Sequence, residues 1–301
     1  MRVDAFEIVD DAPEMTNVRE LAMLKPWVDV GKVGTLVLNS LERHLGAREL
    51  GRLARPGTFF DFTRSRPRTH IVNGRRVLTK PNSIVHHAHD DENGRDYLFL
   101  HLREPHMFGE DYTDAVVALL RHFDVAEYCR IGGMYDSLPH TRPLQVTATL
   151  TDAQQKHAGG LVSVRRNTYQ GPTSIVNLGS EVLDELGIES SSLMLHVPQY
   201  VTLDEDHMGA SRLMQVLCAL YGFPDSFADT TRGEQQYREI SQAVEKNPEI
   251  SQLISQLEYE YDRTQPAQEP EGESESEDIS MPAEMEKFLR DLENGTSERD
   301  E

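Results

Sequence analysis

The chain has 301 residues, a hydrophobic content of 38% and a formal net charge of -21, from 30 Lys and Arg against 51 Asp and Glu. That length suits one large α/β domain or two modest ones, and so negative a field repels phosphate backbones, which excludes general nucleic-acid binding. No apolar run approaches the roughly 18 residues of a membrane span, the start lacks a signal-peptide pattern, and Cys129 and Cys218 make no disulfide framework; a cytoplasmic protein is expected.

In chain order, Val33 to Asn39 is short, β-branched and bounded by Gly31 and Gly34, which predicts a buried strand followed by a helix through Leu41, Leu45 and Leu53. Thr58 to Thr63 is a second strand candidate. Asn73-Gly74 between apolar flanks predicts a hairpin over His70 to Thr79, and Tyr97 to Leu102 a further strand. Val116, Leu119, Leu120 and Phe123 recur at one-face spacing and predict a helix. It leads into a strand from Tyr128 that turns at Gly132-Gly133. Leu144 to Leu150 alternates as a strand. Ser180 to Leu186 reads as a short helix stopped by Gly187, Leu193 to Val197 as a strand ended by Pro198, and Leu213, Val216, Leu217 and Leu220 as the buried stripe of a helix stopped before Gly222. Strands alternating with helices predict a mostly parallel sheet covered on both faces.

Beyond residue 225 the pattern turns helical: Glu234 to Lys246, a break at Pro248, then a stripe of Ile250, Leu253, Ile254, Leu257 and Tyr261. That stripe has no sheet partner in sequence, so it caps the domain, packs on its neighbour helix or docks a second subunit; a homo-oligomer is expected from it. Residues 264–301 carry 13 acidic and 3 basic side chains. Residues 264–280 are expected to be a disordered linker, and Met285, Phe288, Leu289 and Leu292 to form a helix only when docked. The organisation read from this is an α/β domain over 1–225, a helical extension over 226–263 and an acidic tail over 264–301.

The densest candidate site is Ile131 to Pro143. Gly132 and Gly133 let the backbone approach a ligand, and His140, Thr141 and Arg142 stand between two prolines after a strand, where α/β folds place ligands. The structural alternative has Arg142 paired with a carboxylate and His140 capping a strand end. Tyr169, Gly171, Pro172 and Thr173 form a second group, and His196, Pro198 and Tyr200 a third; all three are expected to meet at one sheet edge. His86, His87 and His89 resemble a metal site, but no third ligand at suitable spacing accompanies them, so no metal is predicted. The basic run Arg64, Arg66, Arg68, Arg75, Arg76 and Lys80 is a solvated hairpin face or a site for an anionic segment. No phosphate-binding P-loop, nucleophile elbow or dinucleotide fingerprint occurs, and no cofactor is predicted.

The order GG…PHTRP, YxGPT, HVPxY and an amphipathic helix ending near Gly222 resembles the PAC2 (proteasome assembly chaperone 2-like) family, its bacterial branch most of all. The resemblance implies a three-layer α/β/α sandwich similar to nucleoside phosphorylases and related hydrolases, with the motif residues above as ligand- or partner-binding candidates. It also implies protein partners, with proteasome-related ones among them. Family members that engage the proteasome ring often end in a hydrophobic-Tyr-any motif, which the ending Ser297 to Glu301 here does not match. The reading is therefore a protein-interaction or assembly factor. The alternative is an enzyme acting on a nucleoside-like or phosphorylated small molecule, with Arg142 holding the anion and His140 or His196 as acid or base.

Overall fold

The structure is a computed structural model and describes residues 1–26, 28–164, 175, 182–183 and 185–264. Its strands are β1 (Arg2–Val3), β2 (Phe6–Ile8), β3 (Arg19–Lys25), β4 (Arg48–Leu53), β5 (Arg68–Val72), β6 (Arg75–Thr79), β7 (Ile84–Asp90), β8 (Arg95–Arg103), β9 (Glu127–Asp136), β10 (Val146–Thr149), β11 (Ser163–Val164) and β12 (Glu189–Pro198). The described helices are α1 (Val33–His44), α2 (Gly109–His122), α3 (Asp152–Ala158), α4 (His207–Tyr221), α5 (Thr231–Glu245) and α6 (Pro248–Thr264).

Ten of these strands form one sheet in the order β1-β2-β4-β7-β8-β3-β9-β12-β10-β11, and β5 and β6 pair apart from it. The centre, β8-β3-β9-β12, is parallel, while β7, β4, β2 and β1 join antiparallel on one side and β10 on the other. Alternate side chains leave opposite faces of a strand, so β3 sends Leu21 and Met23 into one core and Ala22 and Leu24 into the other. The first core is closed by α1, α4, α5 and α6, the second by α2. This is the three-layer α/β/α arrangement.

Several predicted elements change type. Val33 to Asn39 lies within α1, because Val33, Val37, Leu38 and Leu41 make a helical stripe buried at 0–1% exposure, and packing overrides β-branched propensity. Asp29 holds the helix entry, accepting the Thr35 N–H at 3.1 Å and the Thr35 hydroxyl at 2.5 Å. The helix expected through Leu53 gives way to β4. Thr58 to Thr63 is a turn, closed by Asp61 accepting the Thr63 N–H at 2.8 Å, with Phe59 and Phe60 buried. The stripe expected to dock a second subunit is covered within its own chain: Ile250, Ile254, Leu257 and Tyr261 are all buried, in the same core as Leu213 and Val216 of α4.

β3 also carries Glu20, fully buried, with neither carboxylate oxygen hydrogen-bonded among the described residues. Burial pushes its pKa well above the usual glutamate value near 4.5. The raised value means the folded chain keeps a proton that the unfolded chain has already lost. Stability therefore falls as pH rises above about 4.5, through the window up to the folded pKa. Glu20→Met keeps the volume and removes the unsatisfied oxygens. It is expected to raise Tm by roughly 3–8 °C at pH 8 and by less at pH 5, read by calorimetry. A gain independent of pH would show that Glu20 is ionised in the fold.

Candidate functional site

β9 runs straight through Gly132 and Gly133, so the glycine turn expected there does not form. The pair serves close approach instead. The Val28 carbonyl lies 2.5 Å from where a Gly132 Cβ would sit, and the Val33 Cγ2 2.5 Å from a Gly133 Cβ. The Gly133 N–H donates to the Val28 carbonyl at 2.7 Å, tying the segment before α1 across the strand.

Past Asp136 the chain turns back through Pro139 to Pro143, and His140 is buried. Its backbone N–H donates to the Tyr200 hydroxyl at 2.6 Å, and its Nδ1 and the same hydroxyl are 2.8 Å apart. Its Nε2 faces the Ser241 hydroxyl of α5 at 3.1 Å. With Ser241 donating to the Tyr237 carbonyl at 3.0 Å, the network is consistent with a neutral imidazole: Tyr200 O–H donates to Nδ1, and Nε2–H donates to Ser241. Burial lowers the His140 pKa against the opposing pull of the Glu258 carboxylate, a direction that favours the neutral ring.

The rest of the loop is bonded to α6. The Thr141 hydroxyl donates to Glu258. The Arg142 guanidinium meets Asp262 with two parallel bonds, 2.8 and 2.7 Å, and donates to Glu258 at 3.1 Å. These bonds hold Asp262 below the usual carboxylate range. The Tyr261 hydroxyl donates to the Pro143 carbonyl at 2.8 Å. Of the two roles open to Arg142, pairing with a carboxylate is the one it fills.

His196 sits within β12, as the predicted strand has it, on the face opposite Leu195 and Val197. Its Nδ1 lies 2.7 Å from an Asp136 carboxylate oxygen and its Nε2 2.8 Å from the Thr147 hydroxyl. Pro198 closes β12 opposite Asp136. The structure thus brings His140, Thr141, Arg142 and Tyr200 together, leaves Gly132 and Gly133 in the adjoining strand, and turns His196 to the other side. Tyr169, Gly171, Pro172 and Thr173 lie outside the described residues, as do Met285, Phe288, Leu289 and Leu292.

Between this loop and α4 and α5 is a cavity of about 420 Å³, bordered by His140, Arg142, Arg212, Tyr237 and Arg238. That volume falls within the range of small-molecule sites, but two of its three arginines, Arg142 and Arg212, are held by several internal bonds. Arg212 donates to the Leu144 carbonyl at 3.0 Å and the Leu161 carbonyl at 2.7 Å, and Arg238 to Gln235 at 3.0 Å. The three histidines of β7 divide: His87 and His89 bond one Asp96 oxygen at 2.7 and 3.1 Å, while His86 faces the other side of the sheet.

The residues that hold the loop, Ser241, Glu258 and Asp262, were not singled out from the sequence. Glu258 and Asp262 are four apart on the face of α6 beside its apolar stripe. That spacing, set against a loop offering Thr141 and Arg142, is the signal that was available.

The profile of the PAC2 family matches residues 23–247, spanning both glycines, the loop and α4. The chain belongs to the PAC2 family. No curated protein matches it. Among solved structures, a Corynebacterium glutamicum protein of unknown function is 22% identical, covering 85% of this chain and 96% of its own, with a TM-score of 0.75. The Mycobacterium tuberculosis proteasome-assembly chaperone homologue is 21% identical over 79% of this chain and 99% of its own, with a TM-score of 0.68. Pyrococcus furiosus PbaB, an archaeal proteasome activator, is 17% identical over 81% and 98%, with a TM-score of 0.61. At these identities the likeness is one of fold. Within the PAC2 fold of this chain, the PHTRP loop fastens the C-terminal helices to the sheet, and no described helix is long and apolar enough to cross a membrane.

Proposed function

We propose that this PAC2 protein is a protein-binding assembly factor that meets its partner through the β5–β6 arm, and that proteasome subunits are the partner class. The observation that carries the reading is the arm itself. Every residue of β5 and β6 is exposed, with Ile71 at 71% and Leu78 at 60%. The register puts Ile71 and Leu78 diagonally on one face, and Val72 and Val77 on the other. Both faces are therefore apolar at the centre. Arg68, Arg75, Arg76 and Lys80 surround them, a basic island on a chain of net charge -21. Such a surface fits an acidic protein face with an apolar centre.

The enzyme alternative has less to stand on, since His140, Arg142 and His196 are each spent on internal bonds. Proteasome subunits are proposed because solved relatives carry that association in their names. The homo-oligomer expected from the α6 stripe loses that basis and is not part of this reading.

Burying a large aliphatic side chain is worth about 1.5–3 kcal/mol, so Ile71→Ser with Leu78→Ser is expected to weaken binding to purified proteasome subunits by at least about tenfold. The melting temperature should stay within roughly 1–2 °C of wild type, since neither side chain supports the core. Interferometry showing no wild-type binding to the subunits would remove the partner class. Binding unchanged in the double variant would remove the arm.

A further inference from the structure

Three side chains far apart in sequence converge at the end of α1. β7 and β8 pair with Ile84 opposite His101 and His86 opposite Phe99, so the two histidines are diagonal neighbours on one sheet face. α1 packs on that face through Val37, Leu38 and Leu41 and sets Glu42 against both rings. One carboxylate oxygen, Glu42 Oε1, lies 2.9 Å from His86 Nδ1 and 2.6 Å from His101 Nε2. The three donor atoms all fall within 4.8 Å of one another, the one such set of three among the described residues.

We propose that Glu42, His86 and His101 form a site for a divalent transition metal of the zinc class, with water completing the coordination. Two imidazoles and a carboxylate suit zinc, cobalt or nickel better than the harder magnesium or calcium. Ligand bonds of about 2.0–2.2 Å place neighbouring ligand atoms about 2.8–3.6 Å apart at octahedral to tetrahedral angles. The Glu42–His86 spacing of 2.9 Å already meets this, His101 has to draw back slightly from 2.6 Å, and the two ring nitrogens, within 4.8 Å of each other, have to settle at the same spacing. The three groups stand on a helix and two paired strands, which hold a site more firmly than loops do. Their side chains are 15%, 24% and 13% exposed, so an ion and its waters have access from solvent. Lys25, at the end of β3, interacts with Glu42 and is a charge that opposes the ion.

The neighbouring group of His87, His89 and Asp96 differs in kind. Asp96 Oδ2 already takes the Thr16 N–H at 2.7 Å, and its two histidines do not converge with it within the same limit. Without an ion, the Glu42 group is a carboxylate accepting two imidazole N–H bonds.

The test is titration of the chelator-stripped full chain with cobalt(II), read by visible absorption, and with zinc(II), read by calorimetry. One equivalent is expected, with Tm raised by saturating zinc. Glu42→Gln and the pair His86→Asn with His101→Asn should each weaken binding at least tenfold, and His87→Asn with His89→Asn should leave it unchanged. Absence of binding to wild type overturns the site, as does binding that survives loss of His86 and His101 or follows His87 and His89 instead. If a variant melts early without metal, the wild type decides alone. Cobalt(II) should shift the ring NMR signals of His86 and His101 far more than those of His87 and His89, and the reverse order would overturn the site.

Discussion

Gly132→Ala is expected to destabilise the protein by about 2–3 kcal/mol, lowering Tm by roughly 5–10 °C in a calorimetric scan. The added methyl would meet the Val28 carbonyl at 2.5 Å, a distance real Cβ atoms do not adopt, and the obstacle is backbone rather than the end of a flexible side chain. Val28 cannot retreat without breaking the 2.7 Å bond from Gly133 N–H to its carbonyl, which ties the entry of α1 to β9. Gly46→Ala is the control for a surface glycine. Its Cβ meets nothing within 4 Å, although its positive φ of 65° carries a backbone cost of its own. A Gly132→Ala variant as stable as wild type would show that the crossing segment is held loosely and that the glycines are not there for close approach.

Releasing the C-terminal helices is the second large effect. Leu257→Ala removes a buried side chain on which α6 rests and should cost about 2–3 kcal/mol. Arg142→Ala acts on the same unit by another route, ending the two-bond pairing with Asp262 and the bond to Glu258. Because these partners are partly open to water, little global loss is expected from Arg142. The effect is local: amide hydrogens of Pro248–Thr264 should exchange several-fold faster, while those of β3 and β9 stay as in wild type. Trypsin should cut the variant first at the α5–α6 end. Exchange that quickens evenly across the chain, or not at all, would mean that the loop does not fasten α6.

How far the sequence revealed this architecture depends on whether the deciding contact was local. The β5–β6 hairpin was legible because Asn73 and Gly74 turn with φ of 50° and 74°, a property of two adjacent residues. The helix α4 was legible from its stripe and from Gly222, at φ 77°. By contrast, α1 opens with the β-branched Val33 and has the strand-like core TLVL, and only its cover over β8 and β9 makes it a helix. β3, reading RELAMLK, carries no strand signal, since Glu, Leu, Ala, Met and Lys favour helices, yet it occupies the buried centre of the sheet. The PHTRP loop was found, but its partners Glu258 and Asp262 follow it by 116 and 120 residues, so its role as a fastening stayed open between two readings. Glu42 lies 44 residues from His86 and 59 from His101, and no spacing rule joins them.

The most direct test of the account is a hydrogen-exchange footprint of the full chain with and without a saturating proteasome subunit preparation. Protection is predicted on Arg68–Val72 and Arg75–Thr79, with the PHTRP loop and α6 unchanged because their bonds are already made. Protection confined to His140 through Leu144 and the facing turns of α4 and α5, with the arm exchanging as in the free protein, would contradict it and place the function in the cavity.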